Sequence, residues 1–243
     1  MQLLPEHRAL IGVDVVGSAS LPGHHRAVVP RELRSIIDKA FSACGLDRSQ
    51  AVEREHTGDG LVLVMPSPML GALVDAADRI NTVAGQRNDW SQPDLRLRIA
   101  IDVGPVAPPP SFADPKITLN RLLDAAAFKA VVQRCVGENR EGAHAGLIVS
   151  DAAHRLIFGG SYVSLVRGGE FAPLDVRVKE FAERGWVRIP GFEAKSLFPG
   201  AAETAGPVAD SSPTGGHIVH NTGVNHGVQA ASITGGVVFG GSR

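Results

Sequence analysis

Apolar and polar positions along this chain change period several times. Ala9-Leu-Ile-Gly-Val-Asp14-Val-Val-Gly17 is an almost unbroken apolar run, the pattern of a buried strand, and it breaks at Gly17. Leu21 to Pro30 carries two prolines, a glycine and two histidines and reads as a loop. Arg31 to Ala43 then sets Leu33, Ile36, Ile37, Ala40 and Phe41 at helical spacing, and Gly45 stops that helix. Ala51 to Met65 reads as a hairpin about Gly58-Asp59-Gly60. Pro68 to Gln86 reads as a helix with Leu70, Leu73, Val74, Ala77 and Ile80 inward. Leu95 to Gly104 alternates and then runs apolar, as a central strand does. A third helix is predicted over Ile117 to Val136, then a strand at Gly146 to Ser150. Asp151 to Phe158 follows as a short helix capped by Ser150 or Asp151. Late strands near Leu174 to Lys179 and Gly185 to Ile189 complete a mixed sheet.

This order predicts an α+β fold on a ferredoxin-like βαββαβ core, with helices covering the sheet. Composition changes after Phe198: residues 199–215 are mostly Ala, Pro, Ser, Thr and Gly, with too little apolar surface to offset the entropy of ordering them. The predicted organisation is therefore a domain over 1–198, a flexible linker over 199–215 and a β-prone tail over 216–243, which is uncharged up to Gly240 when its histidines are neutral.

Charge and cysteine usage exclude several classes. With 24 basic and 25 acidic residues the chain has no global field to attract nucleic acid or an anionic membrane, so a phosphate-bearing substrate must be held by local groups. Cys44 and Cys135 have neither metal-site nor disulfide-framework spacing. No export signal or membrane-length apolar stretch is present, which predicts a soluble, cytoplasmic protein.

The candidate chemistry lies at Asp14, which ends the first apolar run, and Asp59, inside Thr57-Gly-Asp-Gly60. Carboxylates at neighbouring strand ends can hold two hard cations against a triphosphate. An aspartate beside glycine is also ordinary turn chemistry, so Asp59 alone proves nothing. His24, His25 and His56 match no zinc spacing and receive no role.

Asp14-Val-Val-Gly-Ser, Thr57-Gly-Asp-Gly, Leu97-Arg-Ile-Ala-Ile-Asp-Val-Gly-Pro-Val106, Arg121-Leu-Leu-Asp and Leu147-Ile-Val-Ser-Asp151 follow the order found in class III nucleotide cyclases, which the chain resembles over roughly residues 8–191. The resemblance implies that Asp14 and Asp59 bind two Mg²⁺ or Mn²⁺ ions, and that Arg121 stabilises the transition state. It implies that Lys179 holds the triphosphate, and that backbone amides of Val15, Val16, Gly17 and Ser18 cradle phosphate. It further implies a homodimer whose shared cleft turns a nucleoside triphosphate into a 3′,5′-cyclic nucleotide and pyrophosphate.

Glu55, four residues before Asp59, occupies the position that contacts the base in that family. A carboxylate there argues against adenine and leaves guanine and the pyrimidines open, with a second base contact expected between Ala107 and Lys116. Ile117 stands where the family places an asparagine, one helical turn before Arg121. That departure keeps a second reading open, in which the domain is an inactive nucleotide sensor or dimerisation scaffold.

The tail resembles the short amyloid signalling motifs of bacterial proteins and the RHIM-like motifs of animal adaptors, through Asn221-Thr-Gly, Gly227-Val-Gln-Ala-Ala and Ile233-Thr-Gly-Gly-Val-Val-Phe239. This implies a partner protein bearing a like motif, in a bacterial signalling or antiviral defence pathway. The other reading of such composition is a disordered terminus.

Overall fold

A computed structural model describes residues 5–107, 114–178 and 180–198. The first strand, β1 (Glu6–Val15), sends alternate side chains into two cores. Ala9, Ile11, Val13 and Val15 enter one, and Leu10 enters the other. Burial on both faces explains why this strand reads as a continuous apolar run rather than an alternating one.

The predicted βαββαβ unit is formed by β1, α1 (Gly23–Ala43), β2 (Glu53–His56), β3 (Gly60–Pro66), α2 (Leu70–Asn88) and β4 (Leu97–Val106). Beyond it come α3 (Asp114–Asp124), α4 (Ala126–Glu138), β5 (Ala145–Ser150), α5 (Asp151–Gly159), β6 (Ala172–Val178), β7 (Phe181–Arg188) and the short α6 (Ala194–Leu197). The seven strands form one sheet in the order β2-β3-β1-β4-β5-β7-β6. Only the β4–β5 pairing is parallel. Helices α1, α2 and α5 fill the core on one face, and α3 and α4 fill the core on the other.

Two elements depart from the sequence reading. Helix α1 begins at Gly23, so the stretch expected as a loop is its first turns, and Pro30 lies inside it. An interior proline costs about 3 kcal/mol, but Val29, Leu33, Ile36 and Ile37 are all at most 2% exposed, and their burial offsets it. The helix expected over Ile117 to Val136 is two, broken at Ala125, whose ψ of 119° is extended. No proline or glycine marks the break. It lets Leu119 and Leu122 from α3, and Phe128 and Val132 from α4, reach the same core. The linker and the tail lie outside the described residues.

Candidate active site

The site is built by strand register. On β1, Asp14 stands opposite Gly60 of β3 on one side and opposite Arg98 of β4 on the other. A Cβ on Gly60 would lie 2.8 Å from the Val13 carbonyl oxygen, so the hairpin can close this tightly on the end of β1 only with glycine there. The closure brings Asp59 beside Asp14. Beyond β1 the chain turns at Gly17, at φ +69°, and the Ser18 hydroxyl donates to the Asp59 carboxylate.

Arg98 grips Asp14 with two parallel hydrogen bonds: Nε donates to Oδ1 at 2.9 Å and Nη2 to Oδ2 at 2.8 Å. The two side chains are only 15% and 23% exposed, so this charge-assisted fork is partly shielded from water. Burial raises the pKa of Asp14 above its ordinary value. Arg98 opposes that rise, and the neighbouring charge of Asp59 adds to it.

Asp14 and Asp59 are hard oxygen donors, the type that Mg²⁺ and Mn²⁺ take. Among the described residues no group of three or more His, Cys, Asp or Glu side chains converges on a metal position. The pair therefore fits a cation that brings its remaining ligands with it, as phosphate oxygens and water would be. Arg98 holds both Asp14 oxygens and competes with any such ion.

The other predicted residues fall around this point unevenly. The Val16 amide donates to the Arg96 carbonyl at 2.8 Å, so it is committed to the sheet and cannot cradle phosphate. Gly17 and Ser18 lie on the turn itself. Beside them opens a cleft of about 380 Å³ lined by Ser18, Ala19, Arg26, Val29, Pro30, Gly58 and Asp59, within the size range of small-molecule sites. Arg26 shapes its wall, donating to the carbonyls of Ala19 at 2.9 Å and Leu21 at 3.1 Å. A larger cleft of about 550 Å³ lies at Glu170 and Glu193. Its charges are spent, Glu170 on Arg188 and Lys195 on Glu193.

Glu55 lies on edge strand β2 with its side chain 52% exposed, and its Oε2 accepts from Lys116 Nζ at 3.0 Å. Arg121 is half-buried on α3, which packs on β1 where Gly12 leaves room for Leu119 and Leu123. Ile117 is 49% exposed on the same helix. Lys179 lies outside the described residues.

Sequence reasoning missed Arg98 and Lys116. The first was recoverable, because antiparallel pairing of β1 with the Leu97–Val106 strand puts Arg98 across from Asp14. The second had no local signal, since its contacts with Glu53 and Glu55 join residues more than 60 positions apart.

No known protein-family profile matches the sequence, and no curated protein sequence matches it. Solved structures do match in fold. An adenylate/guanylate cyclase/hydrolase from Silicibacter pomeroyi superposes with a TM-score of 0.53 at 22% identity, over 77% of this chain and 98% of that one. The catalytic core of a rhodopsin-guanylyl cyclase with converted specificity, in complex with ATPαS, gives 0.52 at 15% identity, over 77% and 98%. The guanylate cyclase domain of RhGC from Catenaria anguillulae, in complex with GTP, gives 0.50 at 14% identity, over 77% and 99%. The described residues thus carry the α+β fold of adenylyl and guanylyl cyclase catalytic domains. No helix among them is long and apolar enough to cross a membrane.

Proposed function

We propose that this domain is a nucleotide cyclase acting as a homodimer. The observation that carries the reading is the placement of Asp14 at the end of β1 and of Asp59 on the hairpin closed against it, where Asp59 lines a cleft of about 380 Å³, in a fold shared with nucleotide cyclases. The 3′-hydroxyl of a nucleoside triphosphate would attack its α-phosphorus. The new O–P bond forms as the bond to the bridging oxygen breaks, pyrophosphate leaves with that electron pair, and the hydroxyl proton passes to solvent water. Asp14 and Asp59 would hold two divalent cations, which when bound would supply Lewis-acid activation of the hydroxyl and neutralise phosphate charge.

The chain's own residues do the rest. The turn at Gly17 and Ser18 presents backbone amides to the phosphates, with Val15 completing the strand end. Arg121 of the second protomer and Lys179 offset the negative charge that grows on the leaving pyrophosphate. Glu55 accepts from the base. Incubating the purified protein with each of the four ribonucleoside triphosphates and Mn²⁺ tests this, with Asp59→Ala as control. A cyclic product from wild type alone is expected. No product from any triphosphate overturns catalysis.

A second reading, a nucleotide sensor or dimerisation scaffold without turnover, is favoured by two observations. Arg98 occupies both oxygens of Asp14, and Ile117 sits where ribose-orienting asparagine is expected. In either reading the tail over 216–243 would join the domain to a partner carrying a like motif. Thioflavin-positive fibres of the full chain, lost in Val237→Pro, are the expected sign.

A further inference from the structure

The sheet ends in two edge strands, and their charge patterns differ. Among the described residues β2 pairs only with β3 and β6 only with β7, so each leaves one row of backbone N–H and C=O groups without a strand beside it. In an antiparallel pair, two residues directly opposite either both turn those groups across the seam or both turn them away. Successive residues alternate, so a strand that pairs with its own copy sets odd-numbered positions against odd and even against even. On β2 that sets like against like: Glu53 and Glu55 share one set, Arg54 and His56 the other.

Strand β6 carries opposite charges within one set, at Asp175 and Arg177. Pro173 shows that this set lies at the seam. Without an N–H it cannot exchange two bonds with Trp186, its partner on β7, so Pro173, Asp175 and Arg177 turn their backbone groups outward, and Leu174 and Val176 turn theirs to β7. Both charged side chains are exposed and line a cleft of about 340 Å³, on the face opposite the buried Ala172 and Val176. Asp175 Oδ1 accepts from Arg184 Nε at 3.2 Å, and Arg177 makes no ion pair among the described residues.

We propose that β6 is a self-recognition edge, through which two copies of this chain pair antiparallel about a two-fold axis at Val176. Asp175 of each copy then stands opposite Arg177 of the other, an ion pair on each side of the axis, and the backbone groups of both residues bond across the seam. The partly buried Leu174 and Val178 meet on the opposite face. Moving the axis to Asp175 or to Arg177 sets like charges together, and the first also brings in Pro173 where a donor is needed. Exposed charges ordinarily keep edges apart. Here they reject strands of other pattern and accept the same strand reversed. The contact is isologous, as closed two-fold symmetry requires. It does not depend on the cyclase reading, whose protomers meet at the catalytic cleft.

Sedimentation equilibrium of the full chain carrying Val237→Pro, chosen to remove tail fibres, tests the interface. A reversible doubling of mass with concentration is expected when β6 is unaltered. Asp175→Arg and Arg177→Asp should each weaken it about tenfold or more, since both ion pairs become repulsive. An equal mixture of the two variants, or one chain carrying both changes, should recover the original association within about threefold, because opposite charges face each other again. No doubling with β6 unaltered, single variants that associate just as strongly, or single variants recovered neither by mixing nor by the double change overturn the proposal. A dimer through the catalytic cleft persists in every variant and only sets the mass that doubles. Should a single variant fail to fold, hydrogen exchange on unaltered β6 decides. The Asp175 and Arg177 amides should slow about tenfold or more as concentration rises through the doubling, and unchanged rates overturn the proposal.

Discussion

Asp14 and Asp102 make an instructive pair. Both are carboxylates on adjacent central strands, both project from the α3/α4 face of the sheet, and burial raises the pKa of both. They differ in what answers the charge. Asp14, at a strand end, has a guanidinium forked onto it, and it is Asp59 that lines the neighbouring cleft. Asp102 is 4% exposed, and burial lifts it to about 6, against which the Ser150 hydroxyl and the Val103 amide work only in part. One acid has a counter-charge at a strand end, and the other is buried without one. A buried aspartate becomes a candidate ligand when its surroundings hold a counter-charge at a solvent edge, not when burial alone perturbs it.

The largest effect expected from this contrast is on turnover. Asp14→Asn should lower cyclic nucleotide formation by about 10³-fold, since several kcal/mol of charge stabilisation go with the carboxylate. Asp102→Asn should stay within about threefold of wild type, and equal losses in the two variants would erase the distinction.

A stability measurement comes next. Because the folded value for Asp102 lies above the ordinary aspartate value of 3.8, the native state holds its proton more tightly than the unfolded chain does. Stability from this group is then fully present below about pH 4 and falls as pH rises toward 6, by about 3 kcal/mol at most. Urea unfolding of Asp102→Asn should show that decline removed, leaving the variant more stable than wild type by about 2 kcal/mol at pH 7.5. A steeper decline in the variant would refute the assignment.

A smaller effect concerns Arg98. Net hydrogen bonds to charged groups are worth about 1.5–3 kcal/mol, reduced here by partial exposure. Arg98→Gln should therefore raise the Mn²⁺ affinity of the nucleotide-free protein about tenfold by calorimetry. A weaker affinity would mean that the fork prepares Asp14 for the ion instead of competing with it.

Much of this fold was legible because its elements are decided locally. The strands at Asp14 and Leu97, the Gly-Asp-Gly hairpin and the Ser150 cap, which accepts from the Ala153 amide at 3.1 Å, all follow from period and turn chemistry. The misread elements were decided by packing. Burial of Val29 carries α1 through Pro30, and the break at Ala125 answers the shape of the sheet it covers. In the site, Asp14 and Asp59 were legible as motif residues. Arg98, Lys116 and the commitment of the Val16 amide to Arg96 depend on strand register and on long-range contact, which no local pattern encodes.

The convergence of Asp14 and Asp59 on a shared cation is tested most directly by electron paramagnetic resonance titration of Mn²⁺ in the presence of GTP, comparing wild type with Asp14→Asn and Asp59→Asn. The account predicts protein-bound Mn²⁺ in wild type and its loss in each variant. Binding retained at the wild-type level in both variants would contradict it.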